Sequence, residues 1–101
     1  MNYLYLLICP ITLDAKYVGV SINPENRLTG HIHDAGAYNG MRVKGHPKAF
    51  EKSKWINNLT SKNKKPIIAI IGQYESRKKA LIEERNIITK HYDKLTNSVK
   101  T

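Results

Sequence analysis

Hydrophobic residues along the 101-residue chain fall into blocks of two periods. Residues 2–9, NYLYLLIC, are a nearly continuous apolar run with two tyrosines, the pattern of a strand covered on both faces. Pro10 stops the run, the PITLD segment makes a turn, and residues 15–21, AKYVGVS, return as a second strand, so the pair reads as a hairpin. Asn23 before Pro24 is an N-cap with proline at the first helical position, and Glu25 places an acid in the first turn. A first helix is predicted over 24–34, with Leu28, Ile32 and Ala35 spaced to meet a core.

Residues 35–46 hold three glycines and read as a loop. A second helix is predicted from near Pro47 to between Asn58 and Ser61, burying Ala49, Trp55, Ile56 and Leu59. The β-branched run in IIAIIGQY, residues 67–74, predicts a third strand. Ser76 is placed to cap a last helix over 77–92, and LTNSVKT is a tail. The order ββααβα, with no internal repeat and no linker, predicts an α+β fold over 1–101: one domain with a three-stranded antiparallel sheet flanked by helices.

Turning the last helix by about 100° per residue puts Glu84 in the middle of the stripe formed by Ala80, Leu81, Ile87, Ile88 and Tyr92, with Glu83 on its edge. An acid that faces a core is costly unless it is paired or holds a cation. Pairing with a buried Arg or Tyr and metal binding are both open. On the first helix Arg27 and His31 lie one turn apart on the shoulder of the Leu28/Ile32 stripe, either as a solvated flank or as two side chains that converge on one object. His33 lies elsewhere on that helix, and His46 and His91 have no evident companions. Tyr5 and Tyr17 add hydroxyls from strands expected to be adjacent, although each reads equally as a core ring whose oxygen reaches water.

Charge changes the picture. The chain carries 17 Lys+Arg against 8 Asp+Glu, a net charge of +9, and a surface of that kind seeks a polyanion. Between Arg42 and Lys65 the basic residues Arg42, Lys44, Lys48, Lys52, Lys54, Lys62, Lys64 and Lys65 face Glu51 alone. A solvated helix face plus a loop would produce the same run, and an acidic membrane surface is a weaker rival because no strong apolar moment accompanies the lysines. Nucleic acid is the leading partner. The single Cys9 sits inside the first apolar run and reads as a small buried hydrophobe; there is no disulfide framework and no zinc spacing. No apolar run approaches the roughly 20 residues of a membrane span, and YLYLLIC lacks the flanks of a signal peptide, so a cytoplasmic protein is expected.

Taken together these residues resemble the GIY-YIG nuclease family. Tyr3-Leu4-Tyr5 stands in place of Gly-Ile-Tyr, and Tyr17-Val18-Gly19 in place of Tyr-Ile-Gly. Arg27 and His31 follow at the family's R-x3-H spacing, then come the acid of ALIEE on the last helix and Asn97 near the end. The segment KSKWINNLTSKNKKPIIAII is similar to the corresponding region of phage and homing-type members. Tyr3 departs from the signature glycine, a change expected to leave Tyr5 in place on the ground that it falls on the other face of the strand or on a neighbour.

The resemblance implies a divalent-metal-dependent endonuclease acting on DNA, with Mg²⁺ or Mn²⁺ on Glu84. It implies that Arg27 clamps the phosphate and that Tyr17, with Tyr5, positions or deprotonates the attacking water. It also implies that His31 hydrogen-bonds or relays a proton for the tyrosine, and that Asn97 completes the catalytic set. A catalytically silent nucleic-acid-binding module, or an accessory subunit that needs a protein partner for targeting, would keep the basic strip; the full set of Tyr5, Tyr17, Arg27, His31 and Glu84 argues against both.

Overall fold

The computed structural model describes residues 1–38, 47–91 and 95, with side chains at 1–33, 51–91 and 95. Strands β1 (Asn2–Ile8), β2 (Ala15–Ser21) and β3 (Ile67–Tyr74) alternate with helices α1 (Pro24–Tyr38), α2 (Pro47–Ser61) and α3 (Arg77–His91) in the order ββααβα. The sheet order is β2-β1-β3 and both pairings are antiparallel, an α+β fold. The central place of β1 explains its apolar run: with a strand on each side and helices above and below, Leu4, Tyr5 and Leu7 are buried.

Strand periodicity then divides the molecule. Leu4 and Leu6 stand opposite Val20 and Val18, and this face packs with Ile88 and Leu95 into an apolar cluster joined by Ile87 and Tyr74. Tyr5 and Leu7 stand opposite Gly19 and Tyr17 on the other face. There α1 and α2 pack on each other and bring His31 and Lys52 against the tyrosines. A bulge in β3 opposite the Leu4/Tyr5 step changes register beside the tyrosine.

Several boundaries differ from the sequence expectation. The first strand ends at Ile8, and Cys9, buried as expected, begins the turn, donating its N–H to Asp14 O and accepting from Leu13 N. That turn is closed by Leu13 in the left-handed region at φ 63°. Helix α1 runs on to Tyr38, because Ala35 and Ala37 favour helix strongly enough to carry Gly36, whose cost is only about 1 kcal/mol. The rest of the expected loop, Tyr92 and the Ala49 side chain lie outside the described residues. On α2 the buried face is Ser53, Ile56 and Leu59, with Trp55 half-buried. On α3 Leu81 points outward at 39% exposure, so the inward stripe narrows to Ala80, Glu84, Ile87 and Ile88.

Caps fix how the helices leave the sheet. Asn23 accepts from Asn26 N through Oδ1 at 3.2 Å while its own N–H donates to Ser21 Oγ at 3.0 Å, which sets the exit from β2 into α1. Ser76 accepts from Lys79 N at the start of α3. At the end of α2 the bonds Lys64 N to Leu59 O and Asn63 N to Thr60 O form a Schellman motif around Asn63, at φ 58°.

Gly19 is required by a side chain, not by its own backbone. A Cβ at this position would lie 2.5 Å from Tyr5 Oη and 2.6 Å from Cζ, so the ring of β1 crosses β2 where a side chain is missing. Gly19→Ala is expected to displace the buried ring and to lower stability by about 1–3 kcal/mol, as overpacking does. Thermal melts followed by circular dichroism check this, and a midpoint equal to that of the wild type would show that the ring has room to move.

Candidate active site

The turn from β2 into α1 delivers two of the candidate side chains, Arg27 and His31, in a single helical turn. Arg27 is exposed, whereas His31 is 0% exposed, so the expected shared shoulder splits into a solvent side and a core side. The physical reason is the missing Cβ of Gly19: the Tyr5 ring fills that gap and its hydroxyl meets the imidazole, making His31 an inward residue. Tyr5 Oη and His31 Nε2 are 2.9 Å apart in a buried hydrogen bond. Tyr17 meets the same imidazole edge-on, with ring centroids 4.7 Å apart, and the two tyrosine rings lie 6.4 Å from each other.

Lys52, expected as one member of the basic strip, is drawn out of it. Its Nζ lies 3.3 Å from His31 Nδ1 and 4.8 Å from the centroid of the Tyr17 ring. Lys54, Lys62, Lys64 and Lys65 are exposed, as a strip requires. Arg42, Lys44 and the Lys48 side chain lie outside the described residues, and so does Asn97. The sequence held a signal for Lys52. It shares the face of Ile56 and Leu59 at spacings of four and seven, the same logic of a charge among apolar neighbours that singled out Glu84.

Burial dominates the electrostatics of the cluster. It pushes the Tyr5 hydroxyl far above its ordinary pKa, reinforced by Tyr17 and Glu84 and opposed by Arg27. Tyr17 is half-buried; its pKa is raised by burial too, while the nearby Arg27 guanidinium pulls it down by charge and hydrogen bonding and Glu84 pushes it up. His31 is held down to about 3, first by burial and then by the positive charges of Lys52 and Arg27, so it is neutral at pH 7. Glu84 sits one turn from Ala80 and one turn from Ile88, half-buried, with its carboxyl raised by burial and partly restored by Arg77. The five groups expected from the sequence, Tyr5, Tyr17, Arg27, His31 and Glu84, thus act on one another: Tyr5, Tyr17 and His31 through ring contacts and a hydrogen bond, Arg27 through charge and a hydrogen bond to Tyr17, and Glu84 through charge.

The metal question rests on Glu84. No cluster of three or more His, Cys, Asp or Glu occurs among the described residues. A single half-buried carboxylate fits Mg²⁺, which keeps most of its water and is held by one or two carboxylates plus substrate phosphates, better than it fits a fully protein-ligated metal. A cavity of about 670 Å³ lined by Leu6, Asp14, Lys16, Ile71, Ile87 and Leu95 opens on the α3 side and contains none of these groups.

The fold is thus an α+β unit with two tyrosines, an arginine, a histidine and an acid arranged around an antiparallel hairpin. The sequence matches the family model of the GIY-YIG catalytic domain over residues 1–97, and the chain belongs to that family, which is made of endonucleases. Comparison with curated proteins finds no match, and comparison with solved structures finds none. No helix among the described residues is long and apolar enough to cross a membrane.

The buried histidine gives a pH dependence whose sign is fixed. The folded chain leaves His31 unprotonated down to about pH 3, while the unfolded chain takes up a proton below about 6.5. This stability is therefore complete above pH 6.5 and is lost as the pH falls, by about 1.4 kcal/mol for each pH unit inside that window. Urea titrations between pH 7 and 4 are expected to show this slope and to lose one proton's worth of it in His31→Gln; equal slopes in the two proteins would place the imidazole in water.

Proposed function

We propose that the chain is a divalent-metal-dependent endonuclease that hydrolyses phosphodiester bonds of DNA. The observation that carries this reading is the convergence on one buried imidazole of Tyr5 and Tyr17, with the charges of Arg27 and Glu84 acting on the same hydroxyls. The exposed Lys54, Lys62, Lys64 and Lys65 supply sequence-independent attraction for the phosphate backbone.

The two tyrosines take different parts. Tyr5 is 1% exposed and bonded to His31, which leaves it no route to substrate and makes it a holder of the site. Tyr17 is half-buried and next to Arg27, so it is the tyrosine that reaches the attacking water. It acts as the phenolate, the form that the Arg27 guanidinium favours, and becomes a phenol by taking the water proton as the water oxygen bonds to phosphorus and the bond to the 3′ oxygen breaks. Arg27 faces solvent and meets the negative charge that grows on the phosphate, where a preorganised cation acts most strongly. Glu84 would hold the divalent cation, which when bound polarises the phosphate and offsets charge on the leaving oxygen. His31, uncharged at pH 7, positions hydroxyls and does not clamp phosphate. Asn97 is the further member that the family pattern implies.

The first test is incubation of the purified chain with supercoiled, branched and single-stranded DNA, each with Mg²⁺ and with EDTA. Cleavage is expected with the metal only, and Glu84→Gln is expected to abolish it while the melting profile is retained. Activity that survives in EDTA, or in Glu84→Gln but not in Glu83→Gln, would overturn the assignment of the acid. Secondly, Arg27→Ala is expected to lower kcat by roughly 100-fold or more, as loss of a transition-state cation does, with a much smaller change in the Kd for DNA. Equal losses in the two quantities would make Arg27 a binding residue.

A further inference from the structure

The contacts of Lys52 fix more than its own position. An ammonium has three donors and no acceptor, so at 3.3 Å the Nδ1 atom of His31 must accept. A neutral imidazole that accepts at Nδ1 carries its proton on Nε2, and that N–H donates to Tyr5 Oη at 2.9 Å. The groups around the imidazole come from every neighbouring element: Tyr5 from β1, Tyr17 from β2, Lys52 from α2 and Arg27 from α1 itself, with Glu84 of α3 acting through the tyrosines. The same ammonium lies over the Tyr17 ring at 4.8 Å, where it attracts the π face. Lys54, two residues further along α2, is exposed, whereas Lys52 is half-buried, so the two lysines of this short stretch are not equivalent phosphate contacts.

We propose that Lys52 is a positioning residue of the cleavage site: it pins His31 in the Nε2–H tautomer and holds a cation against the Tyr17 ring, so that the hydroxyl of Tyr17 is presented in one orientation. This rests on the nuclease reading above. Without the lysine, Nδ1 is free to take the ring proton, Nε2 turns into an acceptor, and the Tyr5 hydroxyl has to reverse its role from acceptor to donor. The imidazole against which Tyr17 packs then has two states where the wild type has one. Because histidine remains neutral in both tautomers, the switch changes hydrogen-bond direction without adding charge to the site.

The test uses the full chain labelled with ¹⁵N at histidine, as wild type, Lys52→Met and Lys52→Arg. Wild-type His31 is expected to show a pyridine-type Nδ1 and a pyrrole-type Nε2. Lys52→Met is expected to move both signals toward the average of two tautomers and to lower kcat at saturating supercoiled DNA by roughly 100-fold, the size of a misplaced reacting group. Lys52→Arg, still a donor at Nδ1, is expected to restore the tautomer and part of kcat. Ring signals in Lys52→Met that match the wild type would overturn the proposal, and so would a changed tautomer with an unchanged kcat. Cleavage by the wild-type chain is read first and separately: if it cuts no DNA with Mg²⁺, the nuclease reading falls and the role in cleavage falls with it, while the ring signals still decide the contact.

Discussion

The bond between Tyr5 Oη and His31 Nε2 is the contact around which the site side of the sheet is arranged. Its partners are 1% and 0% exposed, so neither can exchange the other for water. Leaving one of them unpaired in such a place costs about 1–3 kcal/mol, which makes the bond a strong condition on the position of α1 relative to β1. That condition reaches back into the sequence. Tyr5 can arrive at the imidazole only by passing over Gly19, and His31 is correctly placed only because the Asn23 cap turns the chain sharply from β2 into α1. A glycine, a cap and a tyrosine therefore cooperate in placing one histidine.

Burial of that pair also decides how chemistry is divided. In a low-dielectric interior neutral forms win, and both Tyr5 and His31 are held neutral. The charged groups, Arg27, Lys52 and Glu84, lie around them at partial or full exposure. Tyr17 is the hydroxyl between the two zones, packed on the neutral imidazole yet subject to Arg27 and Glu84. The Arg27 guanidinium opposes the penalty that desolvation imposes on a tyrosinate at Tyr17, and it does so without needing the histidine to carry charge.

Element order, strand positions and the inward acid of α3 were legible because each rests on a local rule: a continuous apolar run for a central strand, Asn-Pro for a helix start, an acid among Ala80 and Ile88. The burial of His31 was not. On the helix wheel it lies beside the Leu28/Ile32 stripe, but those two residues are only half-buried and the histidine is fully so. What moves the buried centre of α1 by one position is a space made in another element by Gly19, and periodicity within one helix carries no information about it. Tyr3 gives a simpler lesson in parity. Two residues before Tyr5, it shares that residue's face and does not lie on the opposite one, and Tyr5 is accommodated because Tyr3 sits at the strand end opposite Ser21, half-buried. The contacts of Lys52 with His31 and Tyr17 were not foreseen, because a charge run was read as a surface strip before its own helix face was considered.

Strand parity also explains how so short a chain combines a core with a polar site. One side of β1 and β2 supplies Leu4, Leu6, Val18 and Val20 to an apolar cluster with Ile88 and Leu95, and this side requires no polar compensation. The other side tolerates a buried tyrosine and histidine because they satisfy each other. Helix α3 links the two regimes, with Ala80 and Ile88 fully packed and Glu84 between them at partial exposure, its carboxyl raised by burial. An acid in that position weakens the packing on which its neighbours depend, and an apolar residue of similar size would fit the stripe better. Arg77 supplies part of the counter-charge, and a cation bound at the carboxylate would add to it. Cation binding at the proposed site would therefore be linked to the stability of the α3 interface.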